Sequence, residues 1–358
     1  GCEFNPDMVR NEMVSFMDVA LSPFAVDKFI HTVISSWIIG AVFVVAVSSW
    51  YLLKKREEKL AKASIKIASV TGLAATVLAL GSGDSSAVRI AKVQPMKLAA
   101  MEALYEGGNG VGLTAFALVN PFEQPDYKAR EQHPLHVNIP KGLSVLATHN
   151  PDAYVPGVNN ILRGYVGNDG VPVPSVKERM ESGKKAIKAL SDYRQLKGKG
   201  NTSPEITASS EKILKDNISN FGYGYLNNEN DVVPYIPVCF YAFRIMVGVG
   251  TLLILFFAIL TFMAFRTEIK GKKWLLMAGI IMLPLGYIAS EAGWILAEFG
   301  RQPWAIQDML PTRAAVSDIS ASSVATTFFI FLALFTTLLV VEISIMCKQI
   351  KKGPEYSS

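Results

Sequence analysis

Charge is what this chain has least of: only 18% of its 358 residues are Asp, Glu, Lys or Arg, while half are hydrophobic. Soluble domains carry about a quarter charged residues. The positive mean hydropathy of +0.29 likewise argues against an ordinary soluble domain. Cysteine is scarce as well. Cys2, Cys239 and Cys347 lie far apart with no CxxC spacing, which excludes a disulfide framework and a zinc site. The net charge is +5, yet no Lys/Arg block is interleaved with aromatics, so membrane lipid and not nucleic acid is the expected partner. The chain opens Gly1-Cys2-Glu3-Phe4 without Met and without a basic-then-apolar leader. It reads as part of a longer protein; a lipid-modified Cys2 is the weaker alternative. There is no internal repeat.

What is present is a set of long apolar runs. Five approach the roughly 20 residues needed to cross a bilayer, at 29–53, 65–80, 236–265, 274–297 and 324–346. The second is short and rich in Ala, Ser and Thr, a composition suited to tight packing inside a bundle. Lys54, Lys55, Arg56, Lys59 and Lys62 follow the first run. Arg266, Lys270, Lys272 and Lys273 join the third to the fourth, and Lys348, Lys351 and Lys352 follow the fifth. All three clusters fall on one side, which the positive-inside bias assigns to the cytoplasm.

The expected layout is therefore an all-α integral membrane helix bundle. It has an external segment at 1–28, two spans within 29–80, a large external insert at 81–234 and two more spans within 235–299. An external connection at 300–323, a fifth span at 324–347 and a cytoplasmic tail at 348–358 complete it. The insert is about 150 residues long, more than a linker needs. Within it, Ser175-Val-Lys-Glu178 is a capping box opening a helix to about Leu196, and a second helix is expected from Pro204 to Ile218. Asn150-Pro151, Pro156-Gly157 and Asn168-Asp-Gly170 mark turns.

Against this background a few polar residues stand out. Glu291 lies deep in the fourth run, where an ionised carboxylate costs at least about 2.5 kcal/mol. Trp294 and Glu298 follow at helical spacing, and Gly300-Arg301-Gln302-Pro303-Trp304 breaks the helix at the outer surface. His31 is the one histidine of four that lies in a span; His133, His136 and His149 lie in the insert. It reads either as an interfacial histidine bonded to a neighbouring helix or as an axial haem ligand. Arg244 and Met246 reach a similar depth in the third span. The guanidinium needs an anion, for which a haem propionate serves, and Met246 is either packing or a partner of His31 on iron. Three unusual groups at one level point to a shared cofactor layer. Lys97 and Glu102, at i,i+5, read either as solvated helix charges or as a proton-handling pair on a water-exposed loop. Glu342 lies near the cytoplasmic interface and receives no role.

These residues sit in motifs that resemble subunit I of the cytochrome bd quinol oxidases. The likeness runs through Met13-Val-Ser-Phe16, Lys28-Phe-Ile-His-Thr-Val33 and Lys97-Leu-Ala-Ala-Met-Glu102. It continues in Tyr241-Ala-Phe-Arg-Ile-Met246, Lys273-Trp-Leu-Leu276, Glu291 and Pro311-Thr312; 107–217 matches only in length and position. The resemblance implies that His31 and Met246 are the axial ligands of a low-spin haem b, supported by Arg244. It places Lys97 and Glu102 in an external quinol-oxidising loop, the Q-loop. Glu291 would belong to a high-spin pair of haem b and haem d, with Trp294, Arg301 and Trp304 near the haems.

The implied activity is oxidation of ubiquinol or menaquinol at the outer face and reduction of dioxygen to water, in a bacterial inner membrane. The implied partners are oxidase subunit II and small accessory subunits. Two departures accompany the resemblance. The family has nine spans and the five here match its last five, without the early histidine that binds a high-spin haem. Tyr287 stands where a Trp is expected. The competing readings are a transporter using Glu291 and Arg244, and a haem-b quinol dehydrogenase anchor with no oxygen-binding haem.

Overall fold

The structure, a computed structural model, describes residues 2–5, 10–120, 136–198 and 204–354. The parts of the insert at 121–135 and 199–203, with His133, lie outside the described residues.

Among the described residues five helices are long and apolar enough to span a membrane. The first, α1 (Pro23–Leu53), starts where Ser22 accepts a hydrogen bond from the Ala25 N–H and Pro23 presets the first turn. A tight turn, with Lys55 and Glu57 in the left-handed region, leads into α2 (Glu58–Val93). A short helix α3 (Pro95–Met101) follows directly. The insert then contributes α4 (Val176–Gly198) and α5 (Pro204–Asn217). The chain returns to the bundle in α6 (Ile236–Arg266) and α7 (Lys273–Phe299), and ends in α8 (Ala321–Lys352). Among the described residues five two-stranded antiparallel pairs punctuate the helices.

Four spans form a closed ring. Helix α1 packs on α2 and α7, and α6 packs on the same two. Helices α1 and α6 therefore occupy opposite corners. Small residues allow the close approach expected between membrane helices. A Cβ on Gly72 of α2 would lie 2.3 Å from Cε1 of Phe257 on α6, so the ring occupies space that only glycine leaves free. The inner half of the bundle is a cluster of Val42, Val45, Ile65, Phe257, Leu260 and Leu276. The outer half is continuous with the insert: Leu98, Val158, Tyr223, Phe240, Leu296 and Trp304 belong to one buried cluster. The insert is thus seated on the bundle.

Two features differ from expectation. The second span does not stop at Leu80: α2 runs on to Val93 through Gly81-Ser-Gly-Asp-Ser-Ser86. These are poor helix formers, but side chains from elsewhere hold them. His31 Nδ1 bonds Ser82 Oγ at 2.8 Å, Asp27 accepts from Ser85 and Arg89, and His149 Nε2 meets Asp84 Oδ2 at 2.9 Å. Helix α8, by contrast, packs on almost nothing. Its residues are exposed along nearly the whole length, and among the described residues it is fastened at its C-terminal end. There the Tyr51 hydroxyl donates to the Ile350 carbonyl at 2.8 Å, and Arg56 donates to the carbonyls of Lys351 and Lys352.

The Ser175–Glu178 capping box forms as expected. Glu178 Oε2 accepts from the Ser175 N–H at 2.8 Å, and Ser175 Oγ accepts from the Glu178 N–H at 3.2 Å. The Asn168–Gly170 turn joins the strand pair Tyr165–Val166 and Pro172–Val173, with Gly170 at φ +76°.

Candidate functional site

The site lies where α3 and the outer ends of α6 and α7 meet. Lys97 and Glu102 are not solvated helix charges, and the stretch that carries them is not water-exposed, contrary to both readings of the sequence. Their relative exposures are 5% and 2%. Helix α3 carries Leu98, Ala99, Ala100 and Met101 into the outer cluster and packs against α6. Burial of those apolar side chains takes the two charged groups with them.

Each charge has a defined partner. Arg244 grips Glu102 with both terminal nitrogens: Nη2 donates to Oε2 at 2.6 Å and Nη1 to Oε1 at 3.2 Å. The guanidinium lies over Phe240 and Phe243, at 4.6 and 5.1 Å from their ring centres. The anion expected for Arg244 is therefore supplied by the insert. Its Nε is buried with no partner, which leaves one donor for a further anion. Burial pushes the Glu102 carboxyl above its ordinary range, while the Arg244 charge and hydrogen bonds hold it back. Lys97 Nζ donates to the Ala297 carbonyl at 3.2 Å, near the end of α7. Burial lowers the Lys97 ammonium to about 8, with the nearby Lys28 cation acting in the same sense.

His31 and Met246 stand on the two helices at opposite corners of the ring. His31 faces α2, bonded through Nδ1 to Ser82, which orients the ring and leaves Nε2 as the nitrogen a metal could take. Met246 lies against α7, with Sδ 3.0 Å from where a Cβ on Gly293 would be. A Cβ on Gly83 would lie 3.9 Å from His31 Cε1, so a glycine adjoins each ligand candidate. One imidazole, one thioether, two glycines and an arginine with a spare buried donor fit a haem with a propionate on Arg244.

Glu291 and Trp294 do not join this group. They are exposed on the outward face of α7 together with Tyr287 and Ile288. Glu291 thus lies on a different face of the bundle from the Glu102–Arg244 pair. Arg301 pairs with Glu298 at 2.5 Å, and Trp304 is buried beneath Tyr223 of the insert. No group of three or more His, Cys, Asp or Glu suited to a metal ion occurs among the described residues.

Sequence reasoning missed Ser82, Arg179, Tyr223 and Asp308. Only Tyr223 had a local signal, the flanking Gly222 and Gly224, which permit a close approach to neighbouring backbone.

Comparison with known proteins matches residues 1–354 to the family described as cytochrome bd terminal oxidase subunit I. Subunit 1 of the cytochrome bd-II ubiquinol oxidase of Escherichia coli (strain K12) is 35% identical over 371 residues, covering 99% of this chain and 67% of that protein. Cytochrome bd ubiquinol oxidase subunit 1 of Bacillus subtilis (strain 168) is 27% identical over 351 residues, covering 98% and 61%. The solved bd oxidase of Geobacillus thermodenitrificans shares the fold, with a TM-score of 0.70 at 22% identity, over 99% of this chain and 64% of that one. The chain thus spans 61–67% of the length of these proteins.

Proposed function

The chain belongs to the cytochrome bd terminal oxidase subunit I family, and from that premise we propose that it is the haem-carrying part of a quinol:oxygen oxidoreductase. The observation that supports this most is the Glu102–Arg244 pair. It ties a buried carboxylate at the base of the insert to a guanidinium two residues from Met246. A proton-accepting group and a candidate iron ligand are thereby held on one rigid framework.

His31 Nε2 and Met246 Sδ would hold a low-spin haem b, and Arg244 Nε would be the donor to its propionate. When bound, haem would supply one-electron transfer and the iron chemistry of dioxygen reduction. The residues of this chain do the rest. Lys97 donates a hydrogen bond to a quinol oxygen, and Glu102 accepts a quinol proton on a carboxylate oxygen and passes it outward. Arg244 compensates the Glu102 charge whenever that carboxylate is ionised. Oxidation of each quinol to quinone releases two protons, for which Glu102 is the acceptor, and two electrons, which a bound haem would take up one at a time. The α7 face with Glu291 and Trp294 contributes to the site of a high-spin haem b and haem d, whose remaining ligands come from outside this ring. Oxidase subunit II and small accessory subunits complete the assembly, in a bacterial inner membrane with the insert outside.

The assembled complex is expected to show haem bands in reduced-minus-oxidised spectra and to consume oxygen with quinol. His31→Ala should abolish the low-spin band. A parent complex without haem bands would overturn the proposal. A normal low-spin band but no carbon monoxide difference signal would instead identify a quinol dehydrogenase anchor.

A further inference from the structure

The Gly300–Trp304 turn is bound on both flanks. On one side, a Cβ on Gly300 would come 2.9 Å from Lys97 Cε, and Lys97 Nζ is bonded to Ala297. On the other, Trp304 is buried against Tyr223, with ring centres 4.9 Å apart. The turn is closed on itself by the Trp304 N–H donating to the Arg301 carbonyl at 3.0 Å and the Thr312 N–H to the Pro303 carbonyl at 2.7 Å. A shift at Trp304 therefore reaches Gly300 and the lysine behind it.

What holds Trp304 is a part-buried polar chain, centred on the buried Tyr223 and drawn from three separate parts of the sequence. Arg179 on α4 donates through Nη1 to the Tyr223 hydroxyl at 2.8 Å. That hydroxyl donates to Asp308 Oδ1 at 2.7 Å, and Gln307 Nε2 donates to the same oxygen at 3.0 Å. The Gly222 N–H also donates to the Asp308 carbonyl at 3.2 Å. Asp308 itself sits at φ +60°, a conformation that Asp tolerates better than most residues. Tyr223 is 6% exposed, and burial pushes its phenol up, so the hydroxyl stays a donor. Such a chain is stable only when every member is satisfied, which gives the turn one favoured position.

We infer that Arg179, Tyr223 and Asp308 form a clasp that sets the outer end of α7, through Trp304 and Gly300, in the position Lys97 requires. Tyr223 is thus a positioning residue for quinol, an assignment that rests on the proposed quinol oxidation.

The test is Tyr223→Phe in the assembled complex, which keeps the ring on Trp304 but removes both hydroxyl bonds. Losing about one net hydrogen bond's worth of positioning should raise the KM for a soluble ubiquinol about fivefold. The kcat at saturating quinol and the haem spectrum should stay near the parent's. Amide exchange at 304–312 should accelerate. Asp308→Asn, which retains an acceptor oxygen, should remain close to the parent, and Asp308→Ala should reproduce Tyr223→Phe. Faster exchange with an unchanged KM would overturn the positioning role, leaving a purely structural contact. Unchanged exchange would overturn the clasp itself. If Tyr223→Phe does not assemble, Arg179→Gln is read by the same two measurements. A parent complex with no quinol-dependent oxygen uptake would count against the proposed function, whereas the exchange measurement would still report on the clasp.

Discussion

A buried lysine titrating near 8 makes the outer site sensitive to mildly alkaline conditions. Below about 8 Lys97 is charged and donates strongly; above it the ammonium becomes a neutral amine. If the charged form binds quinol, log kcat/KM should fall by about one unit per pH unit above the break. Oxygen uptake measured across that range, with Lys97→Met lacking the break, checks this. The linkage to stability has the opposite slope. Between about 8 and the ordinary 10.5 the unfolded chain binds more protons, so this residue adds stability as pH rises through that window. The Glu102–Arg244 pair predicts a different effect. Removing one partner strands the other charge in the outer cluster, so Glu102→Ala should cost about 3–5 kcal/mol, read as a lowered thermal midpoint. Arg244→Lys should not rescue function, because an ammonium cannot make the paired guanidinium contact.

At the scale of elements, close approach decides stability. Gly72→Leu would drive a side chain into the Phe257 ring and should destabilise the bundle by about 1–3 kcal/mol. Gly248→Leu, on the same helix as Phe257 but with open space around its Cβ position, should be far milder in the same thermal melt. The apolar spans, the Ser175–Glu178 cap and the helix beginning at Pro204 were legible because each is encoded by neighbours in sequence. The continuation of α2 past Leu80 was not. Its glycines and serines argue against helix, and the partners that hold it, Asp27 and His31, lie more than fifty positions away. The burial of Lys97 and Glu102 was hidden for a similar reason, since it depends on α6 and on the folded insert. Arg179, Tyr223 and Asp308 share no local pattern, so their meeting could be found only in three dimensions.

The molecule as a whole has two distinct faces. The ring of α1, α2, α6 and α7 is packed within, and the insert covers its outer end. The side of α7 bearing Tyr287, Glu291 and Trp294 stays open, as does nearly all of α8. The orientation follows from the three basic clusters and can be checked directly. A phosphatase fused at the Asn168–Gly170 turn should be active outside the cytoplasmic membrane, and one fused after Lys352 should be inactive; the reverse pattern would overturn the assignment. The fastening of α8 has a consequence for biogenesis. Translation releases α8 after the chain of the ring and of its insert has been made. The ring can therefore close while this helix is still leaving the ribosome. Tyr51 and Arg56 then meet the carbonyls at its C-terminal end, so an already closed ring fixes where that end of the helix sits and leaves the remainder of its length free to be positioned by lipid.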